Sequence, residues 1–96
     1  MKPSTSYRRH REAIRMVVEQ HHARNPRIFG SVLRGLDGEG SDLDLLVDAT
    51  DDTSLLDIGC IQAELTELLG VEVNVVTPAA LPERWRQDVL REAVPV

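Results

Sequence analysis

Apolar and polar residues alternate along part of this chain with the period of two that is typical of β-strands. In the segment Ser41–Val47, one face carries Leu43, Leu45 and Val47, and the other carries Asp42, Asp44 and Leu46. The segment Val71–Thr77 alternates in the same way, and Arg27–Gly30 is short and partly apolar. These patterns predict three strands.

Between the strands, apolar residues recur every three or four positions, which predicts amphipathic helices. The expected ranges are Tyr7 to about His22, about Leu55 to Leu69, and about Leu81 to Ala93. Asn25-Pro26 is expected to end the first helix, Thr53 or Ser54 to cap the second, and Gly70 to stop it. The single Trp85 is expected to pack into the core, with a partner contact as the alternative.

The order of these elements predicts an α/β fold, in which a small mixed sheet of about three strands is covered by helices. Ninety-six residues suffice for one two-layer core, so we expect a single domain over residues 1–96. Ser31–Arg34 is expected to form a helical turn, and Gly35–Gly40 a glycine-rich loop.

Charge is strongly segregated along the chain, although the net charge is only −5. Eight of the eleven basic residues lie at or before Arg34, and none lies between Gly35 and Glu83. An acidic centre argues against direct nucleic-acid binding through that surface. The lone Cys60, the lack of a membrane-spanning apolar run and the polar N-terminus predict a cytoplasmic protein without a membrane partner.

Asp42 and Asp44 are the first candidates for chemistry. Because they are separated by one residue, they leave the same face of the predicted strand about 6 to 7 Å apart. Such a pair suits Mg²⁺, a hard cation that also keeps waters and phosphate oxygens. Taken alone, the pair is better interpreted as two solvated side chains of an edge strand.

Gly30 and Ser31 are the second candidates, because they follow the apolar Ile28 and Phe29. A glycine at a strand-to-helix junction allows backbone N–H groups to approach a phosphate closely, and the serine hydroxyl adds a donor. Alone, this pair is better interpreted as a plain strand-to-helix turn. Together with the two aspartates it describes a site for a nucleoside triphosphate.

An ordered set of segments runs along the chain: FGSVLRG, the glycine-containing loop, SDLDLLVD, a helix ending in ELLG, and a valine-rich strand followed by TPAAL. In this set the chain resembles the minimal nucleotidyltransferases of the DNA polymerase β superfamily. The resemblance covers nearly the whole chain. It implies the polymerase β-like nucleotidyltransferase fold and the transfer of a nucleoside monophosphate from a triphosphate, with ATP as the expected donor.

The resemblance also assigns roles to residues of this chain. Asp42 and Asp44 match the catalytic, metal-binding pair of a site that holds two Mg²⁺ ions. Gly30 and Ser31 match the residues that bind the triphosphate, and Arg34 matches a position where a basic residue meets phosphate. Relatives of this size resemble antitoxins that bind a HEPN-domain ribonuclease toxin, and some add nucleoside monophosphates to a toxin tyrosine.

One residue departs from the family pattern. A third carboxylate usually stands on the next strand, where this chain has Asn74. An amide offers a neutral oxygen in place of a charged one. We therefore expect the replacement of the third carboxylate by Asn74 to weaken catalysis more than nucleotide binding. Glu72, on the same face, could substitute in principle. The alternative function is therefore a degenerate nucleotidyltransferase that acts as an antitoxin by binding alone; transfer to a small molecule or an RNA end is a less favoured third class.

Overall fold

Three strands and a short fourth strand form one mixed sheet in the computed structural model, which describes residues 1–96. The elements in chain order are α1 (Pro3–Arg9), α2 (Arg11–Gln20), β1 (Ala23–Phe29), β2 (Leu43–Ala49), α3 (Leu55–Leu69), β3 (Val73–Val76), a 3₁₀ turn (Pro78–Ala80), α4 (Glu83–Glu92) and β4 (Val94–Pro95). The sheet order is β3-β2-β1-β4. The predicted α/β fold with a mixed sheet is confirmed.

The register of the sheet aligns residues of three neighbouring strands. β1 runs antiparallel to β2 and places Phe29 opposite Asp44. β3 runs parallel to β2 and places Asn74 opposite Asp44. Since paired residues of neighbouring strands share a face, Asp44 and Asn74 point to the same side of the sheet.

The core lies on one face of the sheet, under α2 and α3. The inward-facing strand residues Leu43, Leu45 and Val47 are fully buried there, as their alternation predicts. They pack with the helical side chains Ile14, Val18, Ile61, Leu65 and Leu69 and with Val73 and Val75 of β3. Burial of these aliphatic side chains, each worth about 1.5 to 3 kcal/mol, provides most of the stabilisation.

The opposite face is only partly covered. Leu46, which shares that face with the two aspartates, is fully buried but lies outside the main core cluster. The 3₁₀ turn contacts β2, and Leu81 just after that turn is buried as well. The predicted outer face is therefore divided into a covered apolar part and a polar part near Asp44.

The N-terminal helical region differs from the single helix predicted from Tyr7 to His22. Two helices are present, with Pro3 in the first turn of α1 and a break at His10. Asn25-Pro26 does not end a helix: it lies inside β1, where the pairing register shifts between Arg24 and Arg27. Asn25 has a φ of 54°, and this bulge accommodates a proline that has no N–H for the ladder.

The C-terminal region also differs from prediction. The last helix begins at Glu83, two residues after the expected Leu81, because Pro78–Ala80 forms a separate 3₁₀ turn. Val94–Pro95 then pairs antiparallel with Arg27 and Ile28 as a fourth strand. Proline suits this position because an edge strand leaves one row of backbone groups unpaired.

Helix α3 begins and ends as the sequence predicts. The Ser54 hydroxyl accepts from the Asp57 N–H at 3.1 Å, and the Asp57 carboxylate accepts from the Ser54 N–H at 2.8 Å, which forms a capping box. These hydrogen bonds, chiefly that from the Ser54 backbone, hold the pKa of Asp57 below its usual range. Gly70 ends the helix in the left-handed conformation, with a φ of 71°. No helix of the structure has both the length and the apolar character required to cross a bilayer.

The glycine-rich loop is attached to the N-terminus of α1. Asp37 accepts a hydrogen bond from the backbone N–H of Ser4 at 2.9 Å, whereas Lys2 at the N-cap makes no side-chain capping bond. This hydrogen bond lowers the pKa of Asp37. The carboxylate also lies at the positive end of the helix dipole. A residue of the loop between Gly30 and Asp42 thus caps the first helix.

We predict that Asp37→Ala lowers the free energy of unfolding by about 1 kcal/mol at pH 7, because the helix loses its cap. A carboxyl group with a lowered pKa stabilises the fold above its unfolded pKa and ceases to do so as the pH falls through its folded pKa. The difference from wild type should therefore shrink below about pH 4. Urea unfolding at several pH values measures both effects.

Glu39→Ala is the matched control for this prediction. Glu39 lies in the same loop and pairs with the terminal ammonium group of Met1 at 3.0 Å, but both groups are largely exposed. Exposed ion pairs contribute little, so its unfolding midpoint should stay near that of wild type. Equal losses in the two variants would mean that the Asp37 cap has no special role.

Candidate active site

The two predicted carboxylates lie at the start of the central strand, beside Asn74 of β3. Asp44 is half-buried within β2, and Asp42 is exposed just before it. The amide nitrogen Nδ2 of Asn74 donates to Asp42 Oδ2 at 3.1 Å and to Asp44 Oδ1 at 3.3 Å. Since one nitrogen reaches both carboxylates, a single cation of similar position could contact both of them.

Asp44 is the more perturbed of the two aspartates. Burial raises its pKa, and the charge of Asp42 raises it further, although the hydrogen bond from Asn74 acts in the opposite direction. The group thus retains a proton to higher pH than an ordinary aspartate. A bound cation would relieve both causes, because it would supply positive charge to a poorly solvated anion.

Gly30 is in direct contact with this carboxylate. It follows β1 with a φ of +78°, a backbone conformation that residues other than glycine rarely adopt. A Cβ atom at this position would lie only 2.3 Å from Asp44 Oδ2. Both the backbone conformation and the available space therefore require glycine beside Asp44.

Ser31–Arg34 forms the helical turn that the sequence predicts. The Arg34 N–H donates to the Gly30 carbonyl at 3.2 Å, and the Leu36 N–H donates to the Ser31 carbonyl at 2.9 Å. Val32 anchors the turn, because its side chain is buried in the core. The Ser31 hydroxyl has no hydrogen-bond partner within the chain.

Arg34 is exposed and forms no ion pair within the chain. It lines a cleft of about 340 Å³ that also includes Gly30. The other residues of this cleft are Phe29 and four members of α4: Trp85, Asp88, Val89 and Glu92. An unpaired guanidinium near the glycine turn is suited to an anionic ligand.

The structure thus brings the predicted residues together in two adjoining groups. Asp42, Asp44 and Asn74 form the first group, and Ser31 and Arg34 belong to the second, with Gly30 in contact with both. Glu72 does not replace the missing third carboxylate beside Asp42 and Asp44, because no three acidic, histidine or cysteine side chains in the chain form a metal-binding cluster. The backbone carbonyl of Glu72 accepts a hydrogen bond from the Leu43 N–H at 2.8 Å.

Sequence reasoning missed the contribution of α4. Trp85 was expected in the core, but 51% of its surface is exposed and its ring lines the cleft beside Gly30. The only available signal was the helical spacing of Trp85, Val89 and Ala93, which is the same for a core face and a cleft wall. A second cleft, of about 420 Å³, lies around Glu19, His22 and Thr50 and contains none of the predicted site residues.

Comparison with protein families and curated sequences identifies several related proteins. The nucleotidyltransferase domain family matches residues 11–95. A candidate protein adenylyltransferase of Methanocaldococcus jannaschii is 38% identical over 80 residues, which cover 83% of this chain and 86% of that protein. Protein adenylyltransferase MntA of Thermococcus cleftensis is 38% identical over 76 residues, which cover 79% of this chain and 77% of that protein.

Two solved structures share the fold. The structure of a candidate minimal nucleotidyltransferase is 43% identical and superposes with a TM-score of 0.86 over 97% of this chain and 95% of that one. A toxin-antitoxin crystallised with AMP-PNP superposes with a TM-score of 0.70 at 17% identity, over 97% of this chain and 71% of that one. Because the family match spans nearly all of the sequence and the 43% identical structure covers 97% of it, the chain belongs to the nucleotidyltransferase domain family as a domain of the minimal nucleotidyltransferase type.

Proposed function

We propose that this chain is a magnesium-dependent nucleotidyltransferase that acts as an antitoxin, transferring an adenylyl group from ATP to a hydroxyl of a partner toxin. The observation that carries the proposal is the contact of Asn74 with both Asp42 and Asp44 directly beside the Gly30 turn. This arrangement supports a site in which cation ligands lie next to hydrogen-bond donors for phosphate.

The donor set fits one hard divalent cation. Asp42 and Asp44 offer charged oxygens, and rotation of the Asn74 amide would present its oxygen in place of the nitrogen that now faces them. Water and phosphate oxygens would complete the octahedral shell that Mg²⁺ prefers. A second Mg²⁺, which the family resemblance implies, would have only the neutral Asn74 where a third carboxylate is expected.

The remaining site residues suit the phosphates. Backbone N–H groups of the turn after Gly30, the free Ser31 hydroxyl and the Arg34 guanidinium would bind the triphosphate. In the reaction, the acceptor hydroxyl oxygen bonds to the α-phosphorus, pyrophosphate leaves with the electrons of the broken P–O bond, and the hydroxyl proton passes to water. The metal would supply charge stabilisation for the phosphate oxygens in this step.

The choice of adenylyl transfer to a protein is supported by the relatives. Two proteins 38% identical to this chain carry the name protein adenylyltransferase, one of them as a candidate. A protein of the same fold belongs to a toxin-antitoxin that was crystallised with AMP-PNP. We extend the proposal to a HEPN-domain ribonuclease as the toxin and to a tyrosine as the acceptor, as the family resemblance implies.

A second candidate function is favoured by Asn74 itself. If the missing carboxylate prevents turnover, the chain would neutralise its toxin by binding alone, with or without a nucleotide. The same geometry supports this alternative, because both retained aspartates and the Gly30 turn serve binding as well as transfer. The two candidates differ in whether neutralisation requires the carboxylates.

We predict that Asp42→Asn together with Asp44→Asn abolishes Mg²⁺-dependent transfer of label from α-labelled ATP to the partner toxin. The substitutions keep the shape of both side chains but remove the charge that holds the cation. Label incorporation on the toxin, with and without EDTA, measures the effect.

The control is Asp51→Asn together with Asp52→Asn, which removes the same charge from two exposed aspartates outside the site. This double variant should transfer label as the wild type does. If wild type transfers no label with any nucleoside triphosphate, while the Asp42 and Asp44 variant still neutralises the toxin, the binding-only alternative replaces the main proposal.

We predict that Asn74→Asp raises the rate of transfer by about tenfold or more, because it restores a carboxylate able to act on the attacking hydroxyl. The matched control is Asn25→Asp, in the only other asparagine of the chain, which also lies beside an aspartate, Asp48. Single-turnover rates at saturating Mg²⁺ separate the two variants. An unchanged or lower rate in Asn74→Asp would show that the amide is not what limits catalysis.

The raised pKa of Asp44 also predicts a cost to stability. A group whose folded pKa lies above its unfolded value favours the folded state at low pH, and this benefit is lost as the pH rises through the folded pKa. We therefore expect Asp44→Asn to raise the melting temperature of the metal-free protein at pH 7. The gap should close below about pH 4, where wild-type Asp44 is protonated.

Thermal unfolding in EDTA measures this difference, and Asp51→Asn provides the control for a change of net charge alone. Addition of Mg²⁺ should stabilise wild type but not Asp44→Asn, because the variant lacks a charged ligand. If Asp44→Asn lowers the melting temperature at pH 7, then Asp44 contributes to the fold as a structural residue rather than as a strained ligand.

A further inference from the structure

One wall of the cleft beside the Gly30 turn belongs to neither the proposed metal site nor the proposed phosphate site. This wall is the face of α4 formed by Trp85, Asp88, Val89 and Glu92. No residue of α4 is fully buried, although the helix has an apolar stripe. The stripe therefore faces a space that the domain itself does not fill.

Trp85 is placed to receive a planar ligand. Half of its surface is exposed, which is unusual for a large aromatic side chain, and the indole lines the cleft. The Arg84 guanidinium lies over the ring at 4.6 Å from its centroid. With the guanidinium on one face, a planar ligand in the cleft would stack on the other face of the ring.

The carboxylates of the same wall accept hydrogen bonds. Glu92 has no hydrogen-bond or ion-pair partner within the chain, and Asp88 pairs only with the exposed Arg91. Opposite them, Arg34 and Gly30 form the side that continues to the proposed phosphate site. The cleft thus carries an aromatic face and hydrogen-bond acceptors at one side and a cationic group at the other.

We infer that this cleft binds the nucleoside part of the triphosphate, with the base stacked on Trp85 and the ribose hydroxyls or base amino group donating to Glu92 and Asp88. The inference rests on the proposed function, because it takes the phosphates to lie at the Gly30 turn. It adds a base-binding subsite on α4 to that function.

Size and charge favour a nucleoside over a segment of a partner protein. About 340 Å³ is near the lower end of the volumes of small-molecule sites, which run from about 300 to 1,000 Å³. The two carboxylates Asp88 and Glu92 and the cationic Arg34, all lining the same cleft, match a ligand with hydrogen-bond donors in one part and phosphates in another. A protein segment seated here would cover Arg34 and Gly30, which phosphate binding requires.

The single tryptophan of the chain provides a direct readout. Titration of the free protein with Mg²⁺-ATP should change the Trp85 fluorescence, because the base stacks on the indole. Mg²⁺-tripolyphosphate, which has no base, should bind with little change in fluorescence and should compete with ATP. Calorimetry measures the affinity of each ligand.

We expect Trp85→Ala to weaken ATP binding about fivefold or more, the effect of losing one base-aromatic stack, while tripolyphosphate binding stays unchanged. Trp85→Phe should restore most of the affinity, because phenylalanine also stacks. Leu55→Ala, at a side chain that is 92% exposed on α3, is the control for loss of a surface apolar group. Glu92→Gln should weaken ATP binding less, with Glu67→Gln on α3 as its control.

The two ligands distinguish failure of the subsite from failure of the proposed function. If tripolyphosphate binds and Trp85→Ala binds ATP as tightly as wild type, the subsite is wrong and the phosphate site stands. If neither ligand binds in the presence of Mg²⁺, the proposed function fails and the subsite fails with it. If ATP affinity is unchanged but Trp85→Ala loses affinity for the toxin, the cleft belongs to the partner and the nucleoside assignment is overturned.

Discussion

The approach of the Gly30 backbone to the Asp44 carboxylate is the contact on which the arrangement of the site depends. It requires β1 and β2 to pair with Phe29 opposite Asp44, so that the chain turns away from the sheet just beside that carboxylate. A shift of one residue would send Asp44 to the core face. The buried residues Leu43 and Leu45 on either side of it prevent such a shift, since they would then face away from the helices.

The same central strand explains why Asn74 alters the site without disturbing the fold. Asn74 is fixed opposite Asp44 by the parallel pairing of β2 and β3, whatever its side chain. An aspartate there would bring three carboxylates together on one face, and their repulsion would be relieved by bound cations or by retention of a proton. The amide instead donates to both neighbours, which offsets part of the repulsion between the two carboxylates without a metal. The hydrogen bonds from Asn74 therefore allow the domain to fold without a bound cation at this position.

The structure could be predicted from the sequence where a local pattern is compatible with only one type of element. Alternation placed Leu43, Leu45 and Val47 in the core, and the capping residues placed both ends of α3, because burial and helix caps act over a few residues. Prediction failed where the outcome depends on distant partners. Val94–Pro95 is a strand only because β1 offers an unpaired edge, and the exposure of Trp85 depends on what lies across from α4. The two aspartates and the Gly30-Ser31 pair followed from local spacing and Arg34 from the family resemblance, whereas the α4 wall carries no motif.

The residues of the site differ in how strongly the core anchors them, and this difference affects ligand binding. Val32 ties the Gly30 turn to the core, the Asp37 cap ties the following loop to α1, and β2 holds the aspartates in the centre of the sheet. Helix α4 has no fully buried residue and is joined to the sheet through a 3₁₀ turn and a two-residue edge strand. Groups that position reacting phosphates need fixed geometry, and Gly30 and Asp44 lie on the better anchored side. The wall that would contact a nucleoside or a partner lies on the side most able to adjust, so ligand affinity can change through α4 without displacing Asp42 or Asp44.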